Sequence, residues 1–147
     1  MSPKFDDDLL LQISSSGASA FGALGLLGMD QTHDVFFKNE RQNHPEIQRL
    51  WGCSCAMAGA NGLLVARSDD EQLKKDTMKV HGVAWHGTAA MSAYNSHNGT
   101  QRKEVGYTTA GFSAALGGLL LVRGFRKDDE DRDNKKQEKP KKETRPK

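Results

Sequence analysis

Charge along this 147-residue chain is segregated more sharply than a water-soluble helical protein allows. Four stretches, residues 9–29, 50–66, 80–94 and 105–122, contain no Asp, Glu, Lys or Arg, and all 40 charged residues fall in the other 76 positions. A helix lying on a soluble core carries a charge on its outer face every turn or so. Four successive segments that each run several turns without one call for a different solvent. Crossing a hydrocarbon core takes about 20 mainly apolar residues, with a range of roughly 17–25. The first stretch meets that length, and the second and fourth sit at its lower edge. The third is only about 22 Å long as a helix. A span there needs residues 78–98, with Lys79 reaching back toward the headgroups. The expected fold is therefore all-α: an integral membrane bundle of four short transmembrane helices over residues 1–122, with spans at 9–29, 50–66, 78–98 and 105–122. A charged tail, 123–147, follows.

The competing expectation is a soluble helical interaction protein with small, Gly/Ala-rich core helices. Its support is the modest hydrophobicity of the segments, which are rich in Ser, Thr, Ala and Gly. Glycine distribution argues the other way, because 13 of the 15 glycines lie inside the four segments. In a water-exposed helix glycine costs about 1 kcal/mol relative to alanine. Within membranes it is common, since small residues let helix backbones approach closely. Small residues also recur every four positions: Ser14, Ala18 and Gly22; Ala58 and Gly62; Gly106, Ala110, Ala114 and Gly118. These are the expected helix-packing residues, with Leu116 and Leu119 to Val122 supplying lipid-facing bulk.

Lys and Arg number one in the N-terminal segment, three in residues 30–49, four in 67–79, two in 95–104 and eleven after Val122. Four spans put the first, third and last of these on one side, 16 against 5. The positive-inside rule then places both termini on the cytoplasmic, matrix or stromal side of an intracellular membrane. Met1 to Asp8 has three consecutive acids rather than a basic leader, so it reads neither as a cleavable secretory signal nor as a transit peptide. The organelle is not legible.

The tail from 123 carries 18 charges in 25 residues, 11 of them basic, and is expected to be disordered. Its Lys-Pro run suits anionic headgroups or an acidic partner as well as plain solvation. Overall net charge is only +2, which excludes a strongly basic nucleic-acid binder. In the long first connection, residues 34–42 suit a short helix at the membrane surface, and Pro45 suits the first turn of the next helix. Trp51, Tyr94 and Tyr107, with Arg123, Arg126 and Lys127, are the expected interface anchors.

Asn61, His81 and His86 form the candidate intramembrane polar site, because such groups in a span mark function or interhelical hydrogen bonding. His81 shares a face with Trp85, while His86, five residues on, points about 140° away. The two histidines therefore cannot serve one metal or haem, but His86 could meet Asn61. Cys53 and Cys55 lack CxxC spacing and read as packing residues. His33, Asp34, Glu40, His44 and Glu46 have no recognised metal spacing, and no catalytic motif, metal site or cofactor is predicted. Asn98-Gly99-Thr100 is a glycosylation sequon too close to the membrane for high occupancy.

This layout resembles several families of small four-helix membrane proteins, among them the DoxX-like proteins and the small scaffold of sterol synthesis, with no motif that carries a function across. The expected function is an accessory or scaffold subunit of a larger membrane complex, partnered by lipids and other membrane subunits and not by nucleic acid. A small membrane enzyme or ligand binder built on His81, His86 and Asn61 is the alternative.

Overall fold

The computed structural model describes residues 6–27, 30–38 and 44–126. Five helices make up the described chain: α1 (Asp7–Leu27), α2 (Asp30–Phe36), α3 (Pro45–Val65), α4 (Glu71–His97) and α5 (Lys103–Gly124). No strand is present among the described residues. The expected disorder of the tail falls on residues 127–147, outside the described residues, as does Lys127.

Local signals explain the boundaries. Pro45 opens α3, where its missing N–H costs nothing. Asp70 caps α4 by accepting from the Leu73 backbone N–H at 2.9 Å. That cap lets α4 begin at Glu71, well before the charge-free stretch, and makes it the longest helix at 27 residues. Gly99, at φ +75°, turns the chain between α4 and α5. Of the expected surface helix at 34–42, residues 39–42 lie outside the described residues. Its helical part is α2, and Phe37 leaves the helix to form an antiparallel bridge with Gln101.

The four long helices form two antiparallel hairpins, α1 with α3 and α4 with α5, which share far more contact within each pair than between pairs. Within a hairpin the contact follows a seven-residue repeat. Gly52 and Gly59 are buried on α3, with Ala66 just past its end, and Lys75, Gly82, Ala89 and Ser96 on α4. On α5 the repeat is Gly106, Ser113 and Leu120, with Leu116, Gly117 and Gly124 also buried. Seven residues turn a helix through nearly two whole turns and return it to the same face, whereas four residues overshoot by about 40°. The four-residue stripe of α5 accordingly drifts away from the contact: Gly106 is buried, Ala114 is exposed, and Gly118 has open space where a side chain would be. On α3, Gly62 is buried and Ala58 exposed; on α1, Ser14 and Gly22 are buried and Ala18 half-buried.

Three rungs of polar contact join the hairpins. At the end where α1 and α4 begin, Lys74 Nζ lies 2.6 Å from Asp8 and Arg123 Nε 2.5 Å from Asp7. At the opposite end the segment after α2 pairs with the α4–α5 turn. There the Lys38 N–H donates to the Thr100 carbonyl and the Arg102 N–H to that of Phe36. Between them lies the middle rung, formed by Ser14, His81 and Trp85. The apolar core (Leu10, Leu11, Val65, Ala66, Met78, Trp85, Leu116 and Leu120) sits in the half nearer the ion pairs.

Two helices, α1 and α5, are long and apolar enough to cross a membrane, and only about a third or less of each apolar stretch is buried. At 1.5 Å per residue each is about as long as a hydrocarbon core is thick.

Candidate functional site

The middle rung is a buried polar cluster at which side chains from different helices meet. Ser14 faces inward from α1 with no exposed surface. One turn apart on α4, His81 and Trp85 share a face and are each less than a tenth exposed. The indole Nε1–H of Trp85 donates to Ser14 Oγ at 2.8 Å, and His81 Nδ1 lies 2.9 Å from the same oxygen. An indole only donates, so the Ser14 proton is free to go to Nδ1. The Ala58 backbone of α3 is a further hydrogen-bonding neighbour of the His81 ring. Three helices therefore meet at the His81 ring. Gly62 makes the approach possible, because any side chain there would strike Ser15 Oγ and the His81 ring.

A serine beside a histidine is the start of a nucleophile–base pair. Here, however, the serine oxygen already accepts the indole proton and has no access to a substrate. What the cluster does is hold helices together. Aromatic rings extend it, with Phe21 and Phe112 each 6.2 Å from Trp85 and Phe21 reaching on to Phe36 and Trp51.

The sequence-derived trio does not converge. His86 turns toward α5, with its Nδ1 donating to the Gly82 carbonyl and its ring over Gly117. Asn61 is exposed on α3. Sequence reasoning missed Ser14 as the partner of His81, which only the register between α1 and α4 reveals. It also set aside His33, whose buried ring stacks on Phe37 at 5.1 Å and whose Nε2 has no partner among the described residues. No cluster of three metal-ligating side chains occurs among the described residues. Cys53 is exposed and Cys55 partly so.

The expected anchors separate by end. Trp51, Tyr94 and Tyr107 are all exposed and lie at the end bearing α2 and the α4–α5 turn. Arg123, ion-paired with Asp7, and the exposed Arg126 lie at the other. There the Lys74 ammonium, held by Asp8 and then Glu71, has its pKa pushed up to about 12. Asp76 is held below the usual carboxylate range by Lys79 and Gln72.

The chain matches no known protein family, and no curated protein or solved structure is detectably similar to it.

Proposed function

We propose that the chain is a small four-helix integral membrane protein that serves as an accessory or scaffold subunit of a larger membrane complex. One observation carries this reading: large apolar side chains face outward along every long helix while serines and glycines share the interior with a small apolar core. Ser14, Ser15, Ser96 and Ser113 are fully buried, together with a series of glycines. Large apolar residues point outward on all four long helices, including Leu27, Leu64, Val80, Val83, Met91 and Val122. A soluble monomer seldom exposes a contiguous apolar patch of more than a few hundred Å². In a bilayer, by contrast, outward leucines are solvated and small residues are what helices pack through.

The aromatic end and the Lys/Arg end suit the two headgroup layers, and the excess of bases puts both termini on the cytoplasmic, matrix or stromal side. The scaffold role is favoured over the enzyme reading because the polar atoms of Ser14, His81 and Trp85 are engaged with one another across helices. Alkaline carbonate extraction, followed by affinity purification of tagged protein in mild detergent, tests both parts. Carbonate-resistant protein with defined companion subunits is expected. Release into the supernatant overturns the membrane reading, and resistant protein without companions overturns the subunit role.

A further inference from the structure

The fold treats the two histidines of the α4 apolar stretch in opposite ways. His81 is buried, with its Nδ1 facing Ser14 inside the bundle. His86 is exposed, fifteen residues from the start of α4 and eleven from its end. At about 1.5 Å per residue that is roughly 16 Å or more from either end of the helix, within a hydrocarbon core about 30 Å thick. Ionisable side chains at such a depth almost always face the bundle interior or a water-filled cavity. His86 instead shares the outward face with Val83, one turn earlier and 65% exposed.

Its ring is nonetheless held in place. Nδ1 lies 2.9 Å from the Gly82 carbonyl, and a carbonyl only accepts, so Nδ1 carries the ring proton. In the neutral ring Nε2 is then a bare lone pair, with no hydrogen-bond partner among the described residues. A Cβ at Gly117 would lie 2.5 Å from Nδ1, so the Nδ1 edge is turned in against Gly82 and Gly117 and Nε2 lies across the ring, toward the outside of the bundle. One ring nitrogen fixed by a backbone carbonyl and the other offering a lone pair is the arrangement of a metal-ligating histidine.

The number of ligands selects the metal. No group of three metal-ligating side chains occurs among the described residues. Zinc takes three or four protein ligands, and free calcium and magnesium ions take oxygen. A single imidazole suffices only where the metal's other positions are already filled, as the ring nitrogens of a tetrapyrrole fill them. The surroundings also suit a flat ring. Gly87, the next residue on α4, and Gly118, which follows Gly117 on α5, have open space where a side chain would be. Ala90 and Ala114, a turn further toward the α2 end on each helix, are small and exposed.

We infer that His86 is the axial ligand of a membrane-embedded metallotetrapyrrole, whose metal takes the Nε2 lone pair and whose ring lies over the small residues of α4 and α5. The inference goes beyond the scaffold role but rests on the membrane setting proposed with it. Coordination releases no proton, since Nε2 carries none, and the Gly82 carbonyl keeps the imidazole from turning.

The test uses the full chain purified in mild detergent and titrated separately with reduced iron protoporphyrin and with magnesium protoporphyrin, read by absorbance. Saturable binding of at least one ring, with the bands of a histidine-ligated metal, is expected, and which ring binds identifies the metal. His86→Gly is expected to lose those bands and added imidazole to restore them, a rescue that a merely structural role for His86 does not produce. Gly118→Leu enters open space, so it is expected to keep the unfolding midpoint while blocking the ring. No saturable binding of either ring overturns the inference, as do bands that persist unchanged in His86→Gly or in Gly118→Leu. Membranes from the same cells are extracted with carbonate. Resistant protein without His86-dependent bands overturns the ligand and leaves the membrane reading standing, whereas release by carbonate overturns both.

Discussion

In the α1–α3 hairpin, a methyl group added at Gly52 would run into the Leu26 amide and lie 2.6 Å and 2.8 Å from the Gly25 and Gly22 backbones. In the α4–α5 hairpin, the same addition at Gly82 would first meet the Leu121 side chain at 2.7 Å. The first hairpin is thus backbone against backbone, and it repeats that arrangement at Gly22 with Ala56 and at Gly25 with Gly52. In the second, side chains come first, with Leu121 over Gly82, His86 over Gly117 and Lys79 over Gly124, and partner backbone lies a little farther off, 2.9 Å to 3.1 Å from the added carbon. A side chain can change rotamer to make room, but a helix backbone cannot move without carrying its neighbours. The same residue type therefore sets a rigid separation in one hairpin and an adjustable one in the other.

That contrast is broken most directly by Gly52→Ala. It should separate α1 from α3 and cost about 3 kcal/mol or more, at or beyond the upper end for overpacking, read as the unfolding midpoint of the protein in detergent. A midpoint within error of the wild type would show that the backbones do have slack. Next comes Ser14→Ala, which strips both Trp85 and His81 of their shared partner and should cost about 1–3 kcal/mol. Trp85→Phe should lose less, and in the double variant the two losses should fall well short of adding. Gly82→Ala should cost about 1 kcal/mol as Leu121 shifts. Its control, Gly118→Ala, enters open space and should change nothing measurable.

The smallest effect concerns the ion pairs between the hairpins. The Lys74 pKa is raised from its ordinary 10.5 to about 12, so the pair's contribution is complete below about pH 10.5 and is lost as pH climbs through 12. Stability measured across that window should fall more steeply for the wild type than for Lys74→Met. Parallel curves would remove Lys74 from the inter-hairpin contact.

Much of this architecture is legible in the chain. The charge-free stretches mark all four long helices, and Pro45 marks the start of α3. The stretch that looked too short, residues 80–94, became the longest helix. Its charges at Lys74, Lys75 and Lys79 interrupt the apolar run without interrupting the helix, because the Asp70 cap and pairs such as Lys79 with Asp76 at 2.7 Å carry it through. Sequence also showed that small residues recur, but not at which period they meet. A four-residue stripe is visible in one helix taken alone, whereas a seven-residue contact exists only once a partner is placed. The candidate site divides the same way. His81 and Trp85 share a face by arithmetic, but Ser14 lies 67 positions away from His81 and becomes its partner only through the packing of α1 on α4.

The bridge between Phe37 and Gln101 also has a meaning in time. A chain made from its N-terminus can bring α1 against α3 as soon as residue 65 has emerged, since every contact in that hairpin is then available. The backbone bonds of residues 36–38 are different, because their acceptors and donors lie at 100–102, beyond the whole of α4. Until α4 has been delivered and the chain has turned at Gly99, the connection following α1 is left with peptide groups awaiting a strand that has not been synthesised. The far end of the bundle therefore closes only once α4 is in place, and the Arg123–Asp7 pair at the other end only after α5.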